Sequence, residues 1–311
     1  MRVTSNTFSE SLISHLHTLS RRQINLQEQI ASGQKVQNAS DDPLAAQQVL
    51  ELRDAAAANT QFQKNIQDHH EFADVTHGLM RNLQKVLDRA QEIAVTVDDI
   101  DSPEDMRSYA TEVDQLLNHA LHLSNAQHRG DYILSGTRNN TAPFTAATDP
   151  SGRVTSVTYN GNTSVIESEI APGQRVSSRV PGQNDSGAGE RGLLADTRSG
   201  ADIFAHLIAL RDQLEMGDVA TIHSTTATQL KEDEENLLFH MADNGALQAR
   251  LESSLSNAKD EKLTLEKEIS NRADADLAET IVRLNQQQTT YQAALQSAGS
   301  LLDLGLLAYL R

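Results

Sequence analysis

Histidine supplies most of the candidate chemistry in this chain. His119 and His122 stand three residues apart, which puts both rings on one face of a helix, and Glu112 or Asp114 could add a carboxylate to a metal set. His15 with His17 and His69 with His70 repeat the pairing. A metal centre needs further ligands that converge, and local spacing offers none, so these imidazoles read as solvated surface. Gly187, Gly189 and Gly192 satisfy the GxGxxG spacing of a dinucleotide turn, which requires a buried strand before it and a helix opening from it. Here the glycines follow the polar turn-rich stretch Pro181 to Asp185 and read as a flexible linker. Asp98, Asp99 and Asp101 lack the spacing of a calcium loop, and Lys231 to Glu235 reads as an exposed helix face. Asn38, Asn139, Asn162 and Asn184 begin N-x-Ser/Thr triplets, but no secretory signal accompanies them. Without a Ser-His-Asp order, a phosphate-binding loop or a catalytic carboxylate pair, the residues argue against an enzyme and call for neither cofactor nor metal.

Composition narrows the partners. Of 311 residues only 38% are hydrophobic and 4% aromatic, with no Trp, which suits an elongated molecule better than one with a thick core. Asp and Glu number 43 against 26 Lys and Arg, and the net charge of -17 repels nucleic acid and anionic membranes. Zero cysteines removes disulfides and thiol chemistry. No stretch approaches the roughly 20 apolar residues of a membrane span, and none near Met1 has the apolar core of a secretory signal.

The elements that must carry any function are helices. Leu12, Leu16, Leu19, Gln23, Leu26 and Ile30 alternate steps of four and three, as do Leu277, Ile281, Leu284, Gln288, Tyr291, Leu295, Ala298 and Leu302, with Leu306 beyond. A stripe this narrow needs a partner, and the economical arrangement pairs the first helix with the last. From spacing alone the stripes would also serve as the core of a self-contained bundle. Leu79, Leu83, Val86, Ala90, Ile93 and Val97 form a second stripe, and Tyr109, Val113, Leu116, Ala120 and Leu123 a third, with Ser102 and Pro103 opening its helix. These two predict an antiparallel hairpin. Gly33 closes the first helix, and Ser40 or Asp41 caps the next ahead of Pro43. Ile203, Leu207, Leu210 and Leu214 predict a short helix ending near Gly217, and a long one runs from about Gly245 through Ile269. Two steps of four, Ile269 to Ala273 to Leu277, read as a stutter that locally unwinds the supercoil and marks where one bundle hands over to the next.

Proline and glycine crowd the middle of the chain. Val154, Val157 and Tyr159, the Asn160-Gly161 turn, Val165, Ile166 and Ile170, then Pro172-Gly173 and Val176 predict a small hairpin-based insert. The expected fold class is mainly α: an elongated helical bundle and coiled coil from paired N- and C-terminal segments with a small β-rich inserted domain. The expected division is 1–40 with 272–311 as a terminal coiled-coil assembly domain, 41–135 with 200–271 as a helical rod, and 136–199 as a variable outward domain.

Three stretches carry a family resemblance: SGQKVQNASDDPLAA at Ser32 to Ala46, YILSGTRNNTAPF at Tyr132 to Phe144, and DLAETIVRLNQQQTTYQAAL at Asp276 to Leu295 with the ending LLAYLR. With them the chain resembles the bacterial flagellin family, and the second stretch resembles its hook-associated members at the hook–filament junction. Leu134 departs from that pattern, where Phe is usual. The resemblance implies a secreted structural protein of the extracellular flagellum, exported unfolded through the flagellar type III apparatus with a chaperone and without a cleaved signal. It also implies self-association into a tubular ring between a sister hook-associated junction protein and flagellin. On this reading Leu12, Leu16, Leu19, Leu26, Ile30, Leu277, Ile281, Leu284, Tyr291, Leu295, Leu302 and Leu306 are the assembly residues. A flagellin that builds the filament itself is the near alternative; a cytoplasmic coiled-coil scaffold is one of a different class.

Overall fold

The structure, a computed structural model, describes residues 3–36 and 42–309, with side-chain surroundings over 10–36 and 42–300. Two compact units result, 1–59 with 260–311 and 60–259. As expected, helices dominate and the strands are short and confined to the middle of the chain.

In the terminal unit, α1 (Val3–Ser32) stops at Gly33, whose φ of 72° no β-carbon opposes and whose N–H closes on the Gln29 carbonyl at 2.9 Å. The next helix, α2 (Pro43–Thr96), starts with Pro at its first position, and the Asp42 carboxylate accepts from the Ala45 N–H at 3.0 Å. Asp42 is therefore a cap, whereas Ser40 and Asp41 lie outside the described residues. At the other end of the chain the supposed stutter is a break. A helix ending at Ala273 gives way to α7 (Leu277–Tyr309), and Asp276 caps it through the Glu279 N–H at 3.1 Å. The break is held by backbone: Lys35 N–H donates to the Ala273 carbonyl at 2.6 Å and Ala275 N–H to the Gly33 carbonyl at 2.8 Å. Both chain ends thus turn at one place.

The 60–259 unit is built on the second half of α2, on α3 (Pro103–Ser124), α4 (Ile203–Met216), the single turn α5 (Val219–Thr221) and α6 (Ala227–Ala273). Ser102 and Asp105 form a reciprocal capping box at the start of α3. The stripe Leu79, Leu83, Val86, Ala90, Ile93 and Val97 is buried throughout. Arg89 reaches from it to α3 and grips both oxygens of Glu112 at 2.6 and 2.9 Å, fixing the antiparallel hairpin. On α3 the buried line is Met106, Ala110, Val113, Leu117, Ala120 and Ser124, with Tyr109, Leu116 and Leu123 on its flank. The apolar face is wider than one stripe because α4 packs against α3 as well. Ile203, Leu207, Leu210 and Leu214 are buried as expected, and Gly217 (φ 71°) caps their helix.

Two expectations fail here for the same physical reason, a partner distant in sequence. The long helix begins at Ala227, after a π-type turn at Ile222–Thr226, and not near Gly245. Gln91 and Gln63 of α2 donate to the carbonyls of Leu230 and Ala258, each at 3.1 Å, so within this unit α6 runs antiparallel to α2. The charged run within it is not all surface: Asp233 is fully buried.

Strands fill the middle of the unit. β1 (Gln127–His128) and β2 (Asp131–Tyr132) flank Arg129 and Gly130, which take positive φ of 53° and 91°. β3 (Phe144–Thr148) pairs antiparallel with β4 (Val154–Tyr159), placing Phe144 opposite Tyr159. The partner of β4 thus precedes it, and Asn160-Gly161 is not a hairpin turn: the Tyr159 ring lies where a Gly161 side chain would begin, 2.3 Å from its hydroxyl. Pro172-Gly173 does turn a hairpin, between β5 (Ser168–Ala171) and β6 (Gln174–Val176). β7 (Gln183–Asn184), β8 (Ala195–Asp196) and β9 (Ala201–Asp202) make a three-stranded sheet, parallel then antiparallel. Phe144 and Val154 are buried in one cluster with α3 and α4, so the β3–β4 hairpin packs on the helices and does not stand apart.

Candidate assembly surface

The paired terminal helices α1 and α7 carry the candidate surface. Gln287 of α7 donates its side-chain amide to the Leu19 carbonyl at 3.1 Å, while Gly33 and Ala275 meet at the turn, so the helices run antiparallel. On α1 the expected stripe is the one used: Leu12, Leu16, Leu19, Gln23, Leu26 and Ile30 are all half-buried, while most residues between them are exposed. On α7 the residues with buried or half-buried side chains are Thr280, Leu284, Gln287, Gln288, Tyr291, Ala294 and Ala298, with Gln288 at the edge of the stripe. Leu284, Gln288, Tyr291 and Ala298 belong to the expected stripe. Leu277, Ile281 and Leu295 stay 45–46% exposed, and the side chains of Leu302 and Leu306 lie outside the described ones.

Helix geometry accounts for the difference. At 100° per residue, Leu277, Ile281, Gln288 and Leu295 sit roughly 60–100° round α7 from the centre of its inward stripe. Small residues at Thr280, Ala294 and Ala298 are favoured at the contact because they let α1 approach, and the larger side chains are left on the flank. Ile13 (54% exposed) and Ile24 (49%) sit on the corresponding flank of α1. Two antiparallel right-handed helices that face one another carry corresponding flanks on the same side of the pair. The Leu19–Gln287 level then sets Ile13 near Leu295 and Ile24 near Ile281, within about a turn. The opposite flank is polar: His15, Arg22, Arg283, Thr290 and Ser297, all exposed. The pair is therefore one-sided, with an open apolar flank and a solvated one.

The candidate chemical residues find other employment. His119 and His122 are exposed; Glu112 is held by Arg89, and Asp114 by Arg211 at 3.1 Å. His69 is buried with Nδ1 2.8 Å from the Ser178 hydroxyl, and burial lowers its pKa. Gly192 follows no buried strand–helix turn: its carbonyl accepts from Asn236 and it sits against the backbone of Ala195. Among the described residues no three His, Asp or Glu side chains gather as metal ligands, and no helix is long and apolar enough to cross a membrane.

One pair escaped sequence reasoning. His206 Nδ1 lies 2.8 Å from Asp233, whose other oxygen accepts from the Asp202 N–H at 2.8 Å, tying the start of α4 to α6. Burial pushes the Asp233 carboxyl up to about 6 despite the imidazole beside it. Burial also opposes charge on His206, but the hydrogen bond and charge of Asp233, with Asp202 and Glu232 nearby, prevail and raise its pKa. No local pattern marks two residues on different helices, and Asp233 sits inside the charged run Lys231 to Glu235, where nothing in the sequence sets it apart from its exposed neighbours.

Comparison with known proteins fits this geometry. Residues 3–139 match the bacterial flagellin N-terminal helical region. Flagellar hook-associated protein 3 of Escherichia coli K12 is 26% identical over 294 residues, 90% of each chain. The protein of that name in Salmonella typhimurium LT2 is 27% identical over 309 residues, 94% of this chain and 95% of its own. The solved structure of a Vibrio parahaemolyticus protein described as flagellar hook-associated superposes with a TM-score of 0.65 at 20% identity, covering 75% of this chain and all of that one. Residues 3–139 thus match the N-terminal region of flagellins, and over nearly its whole length the chain is similar to proteins named flagellar hook-associated protein 3.

Proposed function

We propose that this chain is a structural subunit of the bacterial flagellum at the hook–filament junction, without catalysis of its own. It is exported by the flagellar type III apparatus with a chaperone and lies outside the cell. There it closes into a tubular ring between a sister hook-associated protein and flagellin. The observation that carries this reading is the one-sided α1–α7 pair. Its inner stripe is satisfied within the chain, while Ile13, Ile24, Leu277, Ile281 and Leu295 form an apolar flank left about half exposed by the described residues. Apolar surface aligned along paired helices is what neighbouring helices bury on assembly, and the similarity to hook-associated proteins supplies the context. Electron microscopy of cells lacking this chain tests the proposal. Hooks without filaments, with flagellin shed into the medium, are expected; intact filaments would contradict it.

A further inference from the structure

Within the 60–259 unit a cleft of about 670 Å³ opens between the β5–β6 segment, the loop at 189–198 and the stretch of α6 around Phe239 to Arg250. That volume is in the range of sites for small ligands. Its walls hold five arginines, Arg175, Arg179, Arg191, Arg198 and Arg250, in a chain with 43 acidic residues against 26 basic ones. Two are pinned by the protein. Arg179 donates to Asp131 at 3.1 Å and to Asn139 at 3.0 Å, and Arg198 pairs with Asp196 at 2.7 Å. Arg191 instead lies over the ring of Phe239, 4.4 Å from its centre, and Phe239 is 47% exposed. Arg175 and Arg250 have no hydrogen bond or ion pair among the described residues. Glu167, Glu190 and Asp243 share the walls, and none of the three is held by a cation.

The cleft therefore presents the exposed guanidinium forks of Arg175 and Arg250 and the carboxylates of Glu167 and Asp243, with no ion pair between them among the described residues, while Glu190 feels the charge of Arg198. A ligand that satisfies both must bring an oxyanion for the forks and hydroxyl donors for the carboxylates. An acidic peptide supplies the first but brings no hydroxyl donors for the carboxylates, whose repulsion both kinds of ligand meet. A sugar acid supplies both, and its apolar ring face suits an exposed aromatic. His240, at the floor, is kept below its ordinary pKa by burial and adds no charge. We propose that this cleft binds an acidic saccharide, its carboxylate taken by Arg175 and Arg250 and its hydroxyls by the wall carboxylates beside Phe239.

Calorimetric titration of the full chain tests this with trigalacturonate, its methyl ester as the uncharged counterpart, and hexaglutamate as an acidic peptide. Trigalacturonate is expected to bind at least tenfold more tightly than either. Arg175→Gln and Arg250→Gln are each expected to weaken it about tenfold, with melting temperatures unchanged because both side chains are exposed. Absence of trigalacturonate binding, equal binding of the ester, or unaltered affinity in the double variant would overturn the proposal. Tighter binding of hexaglutamate would overturn it in favour of an acidic peptide.

Discussion

Replacing Leu295 by Asp separates a surface built for neighbours from an ordinary core. Leu295 is 45% exposed on the open flank of α7, so the free chain realises only about half of the roughly 1.5–3 kcal/mol that full burial of a leucine brings. The new carboxylate stays in water and adds little, which puts the cost near 1 kcal/mol and the fall in melting temperature at a few degrees. Leu117 is the internal comparison, with no exposure at the centre of the α3–α4 contact. Leu117→Asp forfeits about 2–5 kcal/mol of packing and buries an unpaired charge for several more. That total rivals the whole stability of a domain. In an assembly that covers the flank, Leu295→Asp incurs the buried-charge cost once per copy. Circular-dichroism melts of the purified chains, with motility and electron microscopy of cells carrying them, read both sides. Leu295→Asp is expected to melt within a few degrees of the native chain and still be exported, yet to fail in filament growth. Melting as damaged as that of Leu117→Asp would show the flank to be ordinary core, and normal filaments would show it to be idle.

Other outcomes follow from the 60–259 unit. Gly192→Ala is expected to destabilise it by more than about 1–3 kcal/mol, because the added carbon would lie 2.0 Å from the Ala195 carbonyl oxygen and 2.5 Å from the Asn184 nitrogen, both backbone. Gly189→Ala, at φ 78° with open space around it, should cost only about 1 kcal/mol; denaturant melts that rank the two the other way would refute the packing argument. His206 has a raised pKa, so its proton adds stability in full below its ordinary 6.5, and this is lost as pH rises through the higher folded value. The stability gap between the native chain and His206→Gln should therefore be widest between about pH 6, above which Asp233 is ionised, and the raised folded value of His206, and narrow toward pH 8.5. A gap that is constant or widens would mean the ring is not held charged.

Local signals were legible wherever the partner of a residue lies close in sequence. Ser102 with Pro103, Gly33, Gly217 and the Pro172-Gly173 turn sit where spacing and residue type place them. The α1 stripe was legible because its partner needs only a narrow apolar line. On α7 the same rule picked the most apolar line, but packing against α1 chose the smaller residues Thr280, Ala294 and Ala298 and turned Leu277, Ile281 and Leu295 outward. Hydrophobicity marks what will be buried, and does not say by which neighbour. Asp233 and the pairing of β4 with Phe144 were illegible for the converse reason. Asp233 is fixed by His206, 27 residues earlier in the chain, and β3 (FTAAT) carries no apolar alternation that would announce it as the partner of β4.

The central claim, that the open flank of the α1–α7 pair is covered in the flagellum, has a direct test in a chain without cysteine. Ile281→Cys would place a single thiol on that flank, where Ile281 is 46% exposed. Maleimide labelling of the purified monomer is compared with labelling of the same chain in intact flagella, each scaled to the fully denatured protein. The account predicts rapid labelling of the monomer and strong protection in the flagellum. Equal labelling in the two states would contradict it.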